Sequence, residues 1–144
     1  MFTVRLEEQL IDRFAELFAE TMPPDADAIY AELGLTAGQA ARLPLEIGDL
    51  RQIVEAGEVA GYVWIELRDE TLHVHALLLE PDFRGRGLGA QVLAELEDEF
   101  RDRIVAIELG VEPANERALA LYEQAGFERV DERLGFLIMR KQLP

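Results

Sequence analysis

The sequence contains no cysteine among its 144 residues, and histidine occurs at two positions, His73 and His75. The absence of cysteine excludes disulfide bridges, thiolate catalysis and cysteine-based zinc sites. Two histidines are too few for a histidine-rich metal site, so we expect no bound metal.

Basic residues are also scarce, because 14 lysines and arginines stand against 29 acidic residues, which gives a formal net charge of −15. Nucleic-acid binding is therefore disfavoured, since phosphates require a basic surface. An acidic enzyme can attract a cationic acceptor, but the same charge can also serve only to keep the protein in solution.

Long apolar runs are missing as well. No segment approaches the roughly 20 apolar residues that cross a bilayer, and the first five residues do not form a signal peptide. We therefore expect no membrane partner and a cytoplasmic location. Hydrophobic residues still make up 49% of the chain, which predicts one folded domain over residues 1–144.

The first third of the chain is predicted to be mainly helical. Apolar residues recur at helical spacing before Pro23 and Pro24, which end the first helix, and Thr36 and Gln39 have the spacing of a capping box. The predicted elements are a brief strand over Phe2 to Arg5, an amphipathic helix through Leu6, Leu10, Phe14, Leu17 and Phe18, a short helix over Ile29 to Leu33, and a helix from Thr36 to near Pro44.

The rest of the chain alternates between strands and helices. Residues Val59 to Arg68 have a period of two, with Val63 and Ile65 on one face and Tyr62 and Trp64 on the other. The predicted elements are strands over Leu50 to Glu55, Val59 to Arg68 and Leu72 to Leu79, a helix from the next glycines to Arg103, a strand over Ile104 to Gly110, a helix capped by Asn115, and strands over Phe127 to Leu134 and Phe136 to Leu143. The order predicts an α+β fold: helices, an antiparallel meander, a βαβ unit and a hairpin.

A glycine-rich turn lies between the buried third strand of the meander and the following helix. Gly85, Gly87 and Gly89 lack side chains, so an anion can approach the backbone closely. The first turn of a helix offers unpaired N–H groups and a partial positive charge. Arg84 and Arg86 add charge to the turn, which therefore predicts a pyrophosphate site.

The same glycines also satisfy a dinucleotide-binding fingerprint over Gly85 to Ala90, and Glu108 lies about where a ribose-binding acid is expected. Three features oppose this alternative. Five residues separate Leu79 from Gly85, the preceding strands form an antiparallel meander, and 54 residues after Ala90 are too few for further parallel units. A dinucleotide-binding protein is therefore a distant second reading.

Two motifs together resemble the GCN5-related N-acetyltransferase (GNAT) superfamily. Arg84, Gly87 and Gly89 match its cofactor signature, and the segment Asn115 to Phe127 matches its Asn, Ala, Tyr and Gly-Phe positions at the usual spacing. The motifs cover Leu72 to about Arg129, whereas residues 1–70 fit the layout without a residue-level match. The resemblance implies a central mixed, mostly antiparallel twisted sheet of six to seven strands flanked by about four helices.

The resemblance implies an acyl-CoA-dependent N-acyltransferase that moves an acetyl group from acetyl-CoA to a primary amine. The amine, on a small molecule or a protein, would attack directly in a ternary complex, and the absence of cysteine agrees with that. A non-catalytic acyl-CoA-binding or sensor domain on the same fold stays open as an alternative. Dimers are common in the family, so a homodimer also stays open.

The resemblance further assigns roles to individual residues. Backbone groups of Leu77, Leu78 and Leu79 would bond the pantetheine arm, and the side chain of Asn115 would bond the pantetheine or the pyrophosphate. Tyr122 would protonate the leaving thiolate. The implied pyrophosphate-binding residues are Arg84, Gly85, Arg86, Gly87, Leu88, Gly89 and Ala90.

The residue that accepts the proton of the ammonium group is left open between His73, Glu80, Glu108 and none. An unperturbed imidazole titrates near ~6.5 and is suitable, although the preferred interpretation of His73 and His75 is a pair of half-exposed strand histidines. An amine whose pKa falls on desolvation needs no dedicated base. Glu112 is a candidate contact for a cationic acceptor.

Overall fold

The computed structural model describes residues 2–5, 11–22 and 25–144. Leu6, Leu10, Pro23 and Pro24, which carried the predicted start and stop of the first helix, lie outside these ranges. The described elements are β1 Phe2–Arg5, α1 Ile11–Thr21, α2 Ala26–Glu32, α3 Ala37–Glu46, β2 Asp49–Glu55, β3 Glu58–Arg68, β4 Thr71–Leu79, α4 Leu88–Phe100, β5 Ala106–Val111, α5 Glu116–Gln124, β6 Glu128–Arg133 and β7 Phe136–Gln142, with a 3₁₀ turn at Pro81–Phe83.

The strands form a single seven-stranded sheet in the order β1-β2-β3-β4-β5-β7-β6. β4 and β5 run parallel, and every other neighbouring pair is antiparallel. The prediction of an α+β fold with a mixed, mostly antiparallel sheet is therefore confirmed. In the described part of the chain five α-helices accompany the sheet, against about four predicted. No helix there combines the length and apolar character needed to cross a membrane.

Several element boundaries differ from the prediction. α3 begins with the predicted capping box of Thr36 and Gln39 but includes Pro44 and ends at Glu46. α4 ends at Phe100 instead of Arg103, because the chain turns there with the Arg103 N–H bonded to the Phe100 carbonyl. β5 begins at Ala106 instead of Ile104.

The sheet has an apolar cluster on each face. One cluster joins the sheet to α4 and α5 and includes Val63 and Ile65, whereas the other joins it to α1 and includes Tyr62 and Trp64. The predicted alternation along β3 is therefore confirmed. Phe14 of α1 packs edge-on against Tyr62 and Trp64 at ring-centroid distances of 6.2 and 6.3 Å.

A β-bulge at His75 changes which face of β4 is apolar. Trp64 pairs with Ala76 and Ile65 pairs with Val74, so His75 is an extra residue in the ladder. Leu72 and Val74 therefore pack toward α4 and α5, whereas Ala76 and Leu78 pack toward α1. The family resemblance also implies that this strand bulges and splays from its neighbour at Leu77 to Leu79, whereas the irregularity in its pairing with β3 lies at His75.

The parallel pairing of β4 with β5 is short. It begins with Thr71 opposite Ala106 and ends with Val74 opposite Leu109, and no further pairs join the two strands, both of which are described in full. The remainder of β4 separates from the end of β5. This separation opens a gap in the middle of the sheet, and the candidate site is built around it.

Candidate active site

The glycine-rich turn, residues Arg84 to Ala90, leads into α4. Gly85 and Gly87 have φ angles of 76° and 79°, and apart from the adjacent residues no described atom lies within 4 Å of where a Cβ would project from either residue. Gly87 is the N-cap of α4 and has no side chain to cap the helix. The first intrahelical bond runs from the Gln91 N–H to the Gly87 carbonyl, so earlier N–H groups of the helix are available to an anion.

The two arginines of the turn contact protein groups. Arg84 Nε donates to the Leu79 carbonyl at 3.0 Å, and Arg84 Nη2 lies 3.2 Å from Glu20 of α1. The Arg86 guanidinium lies over the Phe83 ring, 5.2 Å from its centroid. Arg84 thus ties the turn to the end of β4 and to α1, while binding of pyrophosphate by either side chain stays a prediction.

Gly89 allows close packing of two helices. A Cβ at this position would lie 3.0 Å from Leu121 Cδ2, which is tighter than ordinary side-chain contact. The third glycine of the motif therefore lets α4 approach α5, in addition to any role beside a ligand.

The gap between β4 and β5 contains a cavity of about 430 Å³, which we call the central cavity. It brings together residues of both predicted groups, those for the acyl donor and those for proton transfer. Leu79, Glu80 and the glycine-rich turn are not among the described residues that line it. The predicted residues that do line it are Leu77, Leu78, Asn115, Tyr122, His73, Glu108 and Glu112.

Asn115 caps α5, as predicted. Its Oδ1 accepts a hydrogen bond from the Ala118 N–H at 3.2 Å. The same side chain lines the central cavity. The cap orients the side chain, and the Nδ2 amide is the part that could donate to a ligand.

Tyr122 projects from α5 into the central cavity and is buried. Its ring lies 5.9 Å from the ring of Phe127. Burial disfavours the phenolate and raises the pKa of Tyr122 to about 12. The hydroxyl therefore stays protonated over the whole range in which enzymes work, and it is available as a proton donor.

His73 and His75 lie side by side on the cavity wall, with parallel rings 6.2 Å apart. Burial is the main cause that lowers the pKa of His73, and the Arg68 charge acts in the same direction, partly opposed by Glu108. His73 is therefore mainly neutral at pH 7. His75 has a partner, because its Nε2 lies 2.8 Å from Oε1 of Glu66.

The two carboxylates considered as proton acceptors, Glu80 and Glu108, have arginine partners, whereas Glu112, the candidate contact for a cationic acceptor, is bonded to the backbone. Glu80 binds Arg13, which lowers the pKa of the Glu80 carboxyl. Glu108 lies 3.1 Å from Arg140 Nη1 and 3.8 Å from Arg133 Nη1. Glu112 accepts a bond from the Ala114 N–H at 2.9 Å.

The regions without a residue-level match to the family are the ones expected from sequence to shape the acceptor side: Phe14 to Leu43, the Tyr62 and Trp64 face and the terminal hairpin. Trp64 lines the central cavity, and its Nε1 donates to the Ile47 carbonyl at 2.8 Å. Tyr62 is not among the described lining residues. The other contributors from these regions are Phe18, Thr21 and Met22 at the end of α1, Ile29, Tyr30 and Leu33 on and after α2, and Arg133, Leu134, Phe136 and Ile138 in the hairpin. The spacing of the apolar residues along α2 is the sequence signal that could have identified this helix as part of the cavity lining.

Comparisons with known proteins agree with this architecture. The model of the acetyltransferase (GNAT) family matches residues 7–127. A mycothiol acetyltransferase from Propionibacterium freudenreichii is 38% identical over 87 residues, covering 57% of this chain and 28% of the relative. The N-alpha-acetyltransferase RimI from Mycobacterium tuberculosis is 37% identical over 81 residues, covering 54% of this chain and 50% of the relative. The matched segments thus span half or less of the length of these relatives.

A solved structure has a similar fold over nearly the whole chain. The PaiA N-acetyltransferase from Thermoplasma acidophilum, crystallised with coenzyme A, superposes with a TM-score of 0.71 at 15% identity, covering 99% of this chain and 98% of that one. At 15% sequence identity this similarity shows a shared fold and no more.

Proposed function

Because the chain belongs to the GNAT acetyltransferase family, we propose that it transfers an acetyl group from acetyl-CoA to a primary amine by direct attack. The observation that carries the proposal is the central cavity in the gap between β4 and β5, which contains the protonated phenol of Tyr122 and the neutral imidazole of His73. A proton donor and a proton acceptor in one cavity suit the aminolysis of a thioester, in which one proton leaves the amine and one reaches the sulfur.

The described residues fit coenzyme A. Open space at Gly85 and Gly87 and the N–H groups at the start of α4 form an anion site for the pyrophosphate. Beyond Val74, the edge of β4 that faces β5 is unpaired, so backbone groups of Leu77, Leu78 or Leu79 could pair with an extended pantetheine arm as with an added strand. When bound, acetyl-CoA supplies the acetyl group as a thioester.

Tyr122 is the proposed general acid. The helix N-capped by Asn115 holds it at the cavity wall, and its raised pKa keeps the hydroxyl protonated, so that it can donate a hydrogen bond to the thiolate sulfur as that charge develops. Positioned general acids of this kind contribute about 10²–10⁴-fold in rate.

His73 is the proposed general base. It lines the central cavity and is mainly neutral at pH 7 because burial lowers its pKa. Glu80 is bound by Arg13 and lies outside the described lining, and Glu108 is held by two arginines, so both are poorer candidates. His73 would take the proton that the amine loses, directly or through a water molecule.

The direct test measures thiol release from acetyl-CoA with a panel of primary amines, alongside thermal shifts with CoA, acetyl-CoA and NAD. We expect stabilisation by both CoA compounds and amine-dependent thiol release. Stabilisation by NAD and not by CoA would overturn the proposal. Binding of acetyl-CoA with no turnover of any amine would favour the non-catalytic alternative instead.

A further inference from the structure

The helix α2 is an apolar wall of the central cavity with little protein covering it. Ile29, Tyr30 and the C-cap residue Leu33 line the cavity. None of residues 26–32, all within the described part of the chain, is buried, and Leu33 is 55% exposed. Apolar side chains that face a void gain stability when a ligand removes them from water.

The turn between β6 and β7 adds a second apolar element at the same cavity. Leu134 lines the cavity, is 45% exposed and has a φ of 52°, followed by Gly135 at 82°. Two-residue hairpin turns with positive φ at both positions strongly favour asparagine, aspartate or glycine at the first of them. A leucine here is unfavourable because its φ is positive and because its apolar side chain is exposed. Backbone strain of this kind concentrates at functional positions.

The charge inside the central cavity is balanced, in contrast to the net charge of −15 of the whole chain. Among the described residues that line it, the charged side chains are two arginines, Arg68 and Arg133, and two glutamates, Glu108 and Glu112. Glu108 is already paired with Arg140 and Arg133. A polyamine needs several carboxylates along its length, and this cavity does not supply them.

Resting on the proposed acetyltransferase function, we propose that the acceptor is a small primary amine with an apolar body, an alkylamine or arylalkylamine. Its body would lie against Ile29, Tyr30, Leu33 and Leu134, with its amino group directed toward His73. The balanced charge of the cavity fits a monocation better than a polycation. The volume of about 430 Å³, shared with the reacting end of the donor, fits a small molecule rather than a polypeptide.

An amine panel with saturating acetyl-CoA tests the acceptor class. The probes are hexylamine and phenethylamine against putrescine, ethanolamine and an alanine-terminated tripeptide. We expect kcat/KM for the two apolar amines to exceed that for the others by at least about tenfold, since hydrophobic pockets discriminate at this level. Preference for putrescine, ethanolamine or the peptide would overturn the acceptor class and leave the acetyltransferase function standing. No turnover of any amine would overturn both.

Two variants test the proposed wall. Leu33→Glu should raise KM for phenethylamine about tenfold without changing KM for acetyl-CoA. The matched control is Ile47→Glu, because Ile47 is likewise an exposed residue that C-caps a helix but does not line the cavity. Equal effects of the two substitutions on KM for the amine would overturn the role of α2.

Leu134→Asn has opposite expected effects on stability and on binding. Asparagine adopts positive φ more readily than leucine, so the variant should melt at a higher temperature than the parent. It should also raise KM for phenethylamine while leaving KM for acetyl-CoA unchanged. A higher melting temperature with unchanged KM for the amine would show that Leu134 does not bind the acceptor.

Discussion

Arg13 and Glu80 form an ion pair that joins α1 to the segment after β4. Arg13 Nε lies 3.1 and 2.9 Å from the two carboxylate oxygens, and Arg13 Nη2 also bonds to Oε1. Arg84 and Glu20 connect the same two parts of the chain with the charges reversed. Helix α1, which contributes Phe18 and Thr21 to the lining of the central cavity, is therefore attached to the residues just before and within the glycine-rich turn.

The Arg13–Glu80 pair predicts a pH-dependent stability. The pKa of Glu80 is lowered in the folded protein, mainly by its hydrogen bonds to Arg13, so its contribution is present above the unfolded pKa of about 4.3 and is lost as pH falls through the folded value. We expect Glu80→Gln to melt below the parent at pH 7 and the difference to shrink toward pH 3. Thermal unfolding at both pH values checks this, with the exposed Glu58→Gln as control. An equal difference at pH 7 and pH 3 would contradict the pairing.

The open space around Gly87 predicts a selective loss of cofactor binding. Gly87→Ala and Gly57→Ala both force a side chain onto a φ near 80° with no neighbouring atoms, so each should cost about 1 kcal/mol of stability. Gly87→Ala alone should also weaken CoA binding, by at least about tenfold, because its methyl group and the distorted turn would disturb the N–H groups at the anion site. Calorimetric titration with CoA measures the difference. Equal CoA affinity in the two variants would place the pyrophosphate elsewhere.

Removing the Tyr122 hydroxyl should separate catalysis from binding. We expect Tyr122→Phe to lower kcat about 100-fold, at the lower end of the range for a general acid, with Kd for CoA changed little. Because burial raises the pKa of Tyr122 to about 12, the kcat profile of the parent should show no loss of activity from this group below about pH 11. Unchanged kcat in the variant would remove its acid role.

The lowered pKa of His73 predicts the acidic limb of the rate profile. A base must be deprotonated to act, so kcat/KM should rise with pH through an apparent pKa below 6.5. His73→Gln should lose this limb and lower kcat/KM about 100-fold at pH 7.5. His75→Gln is the matched control and should keep the limb. If His73→Gln kept the acidic limb, a group other than His73 would be the general base.

Close packing of β3 on β4 predicts a position that tolerates no side chain. A Cβ on Gly61 would lie 2.0 Å from the Leu78 carbonyl oxygen. We expect Gly61→Ala to lower the free energy of unfolding by more than about 3 kcal/mol, since backbone would have to move. Gly110→Ala is the control, because its Cβ would meet Ile138 at an ordinary 3.6 Å. Similar denaturation midpoints for the two variants would contradict the predicted clash.

Much of the fold could be predicted because its signals are local. The period of two along β3 and the capping residues Thr36 and Asn115 all depend on near neighbours, and the structure confirms them. The boundaries at Pro44 and Arg103 were predicted less well. A helix end depends on tertiary contacts as well as on local propensity.

The candidate site could be predicted only in part. The glycines and Tyr122 stand in short segments with a recognisable spacing, so the sequence alone located them. The partners of Arg84 could not be predicted, since Glu20 is 64 residues away in the chain and the Leu79 carbonyl carries no side-chain signal. The same limit applies to Glu80, whose partner Arg13 is 67 residues away.

The sequence by itself determined the order of a buried strand, a glycine-rich turn and a helix start, and this order is the basis for the predicted pyrophosphate site. The tertiary structure decided where β4 leaves β5, which face of β4 is apolar beyond His75, and which residues enclose the central cavity. The physical reason is how far apart in the chain the residues lie on which each feature depends. Anion binding at a helix start depends on a few consecutive residues, whereas a cavity exists only where segments distant in the chain pack against one another.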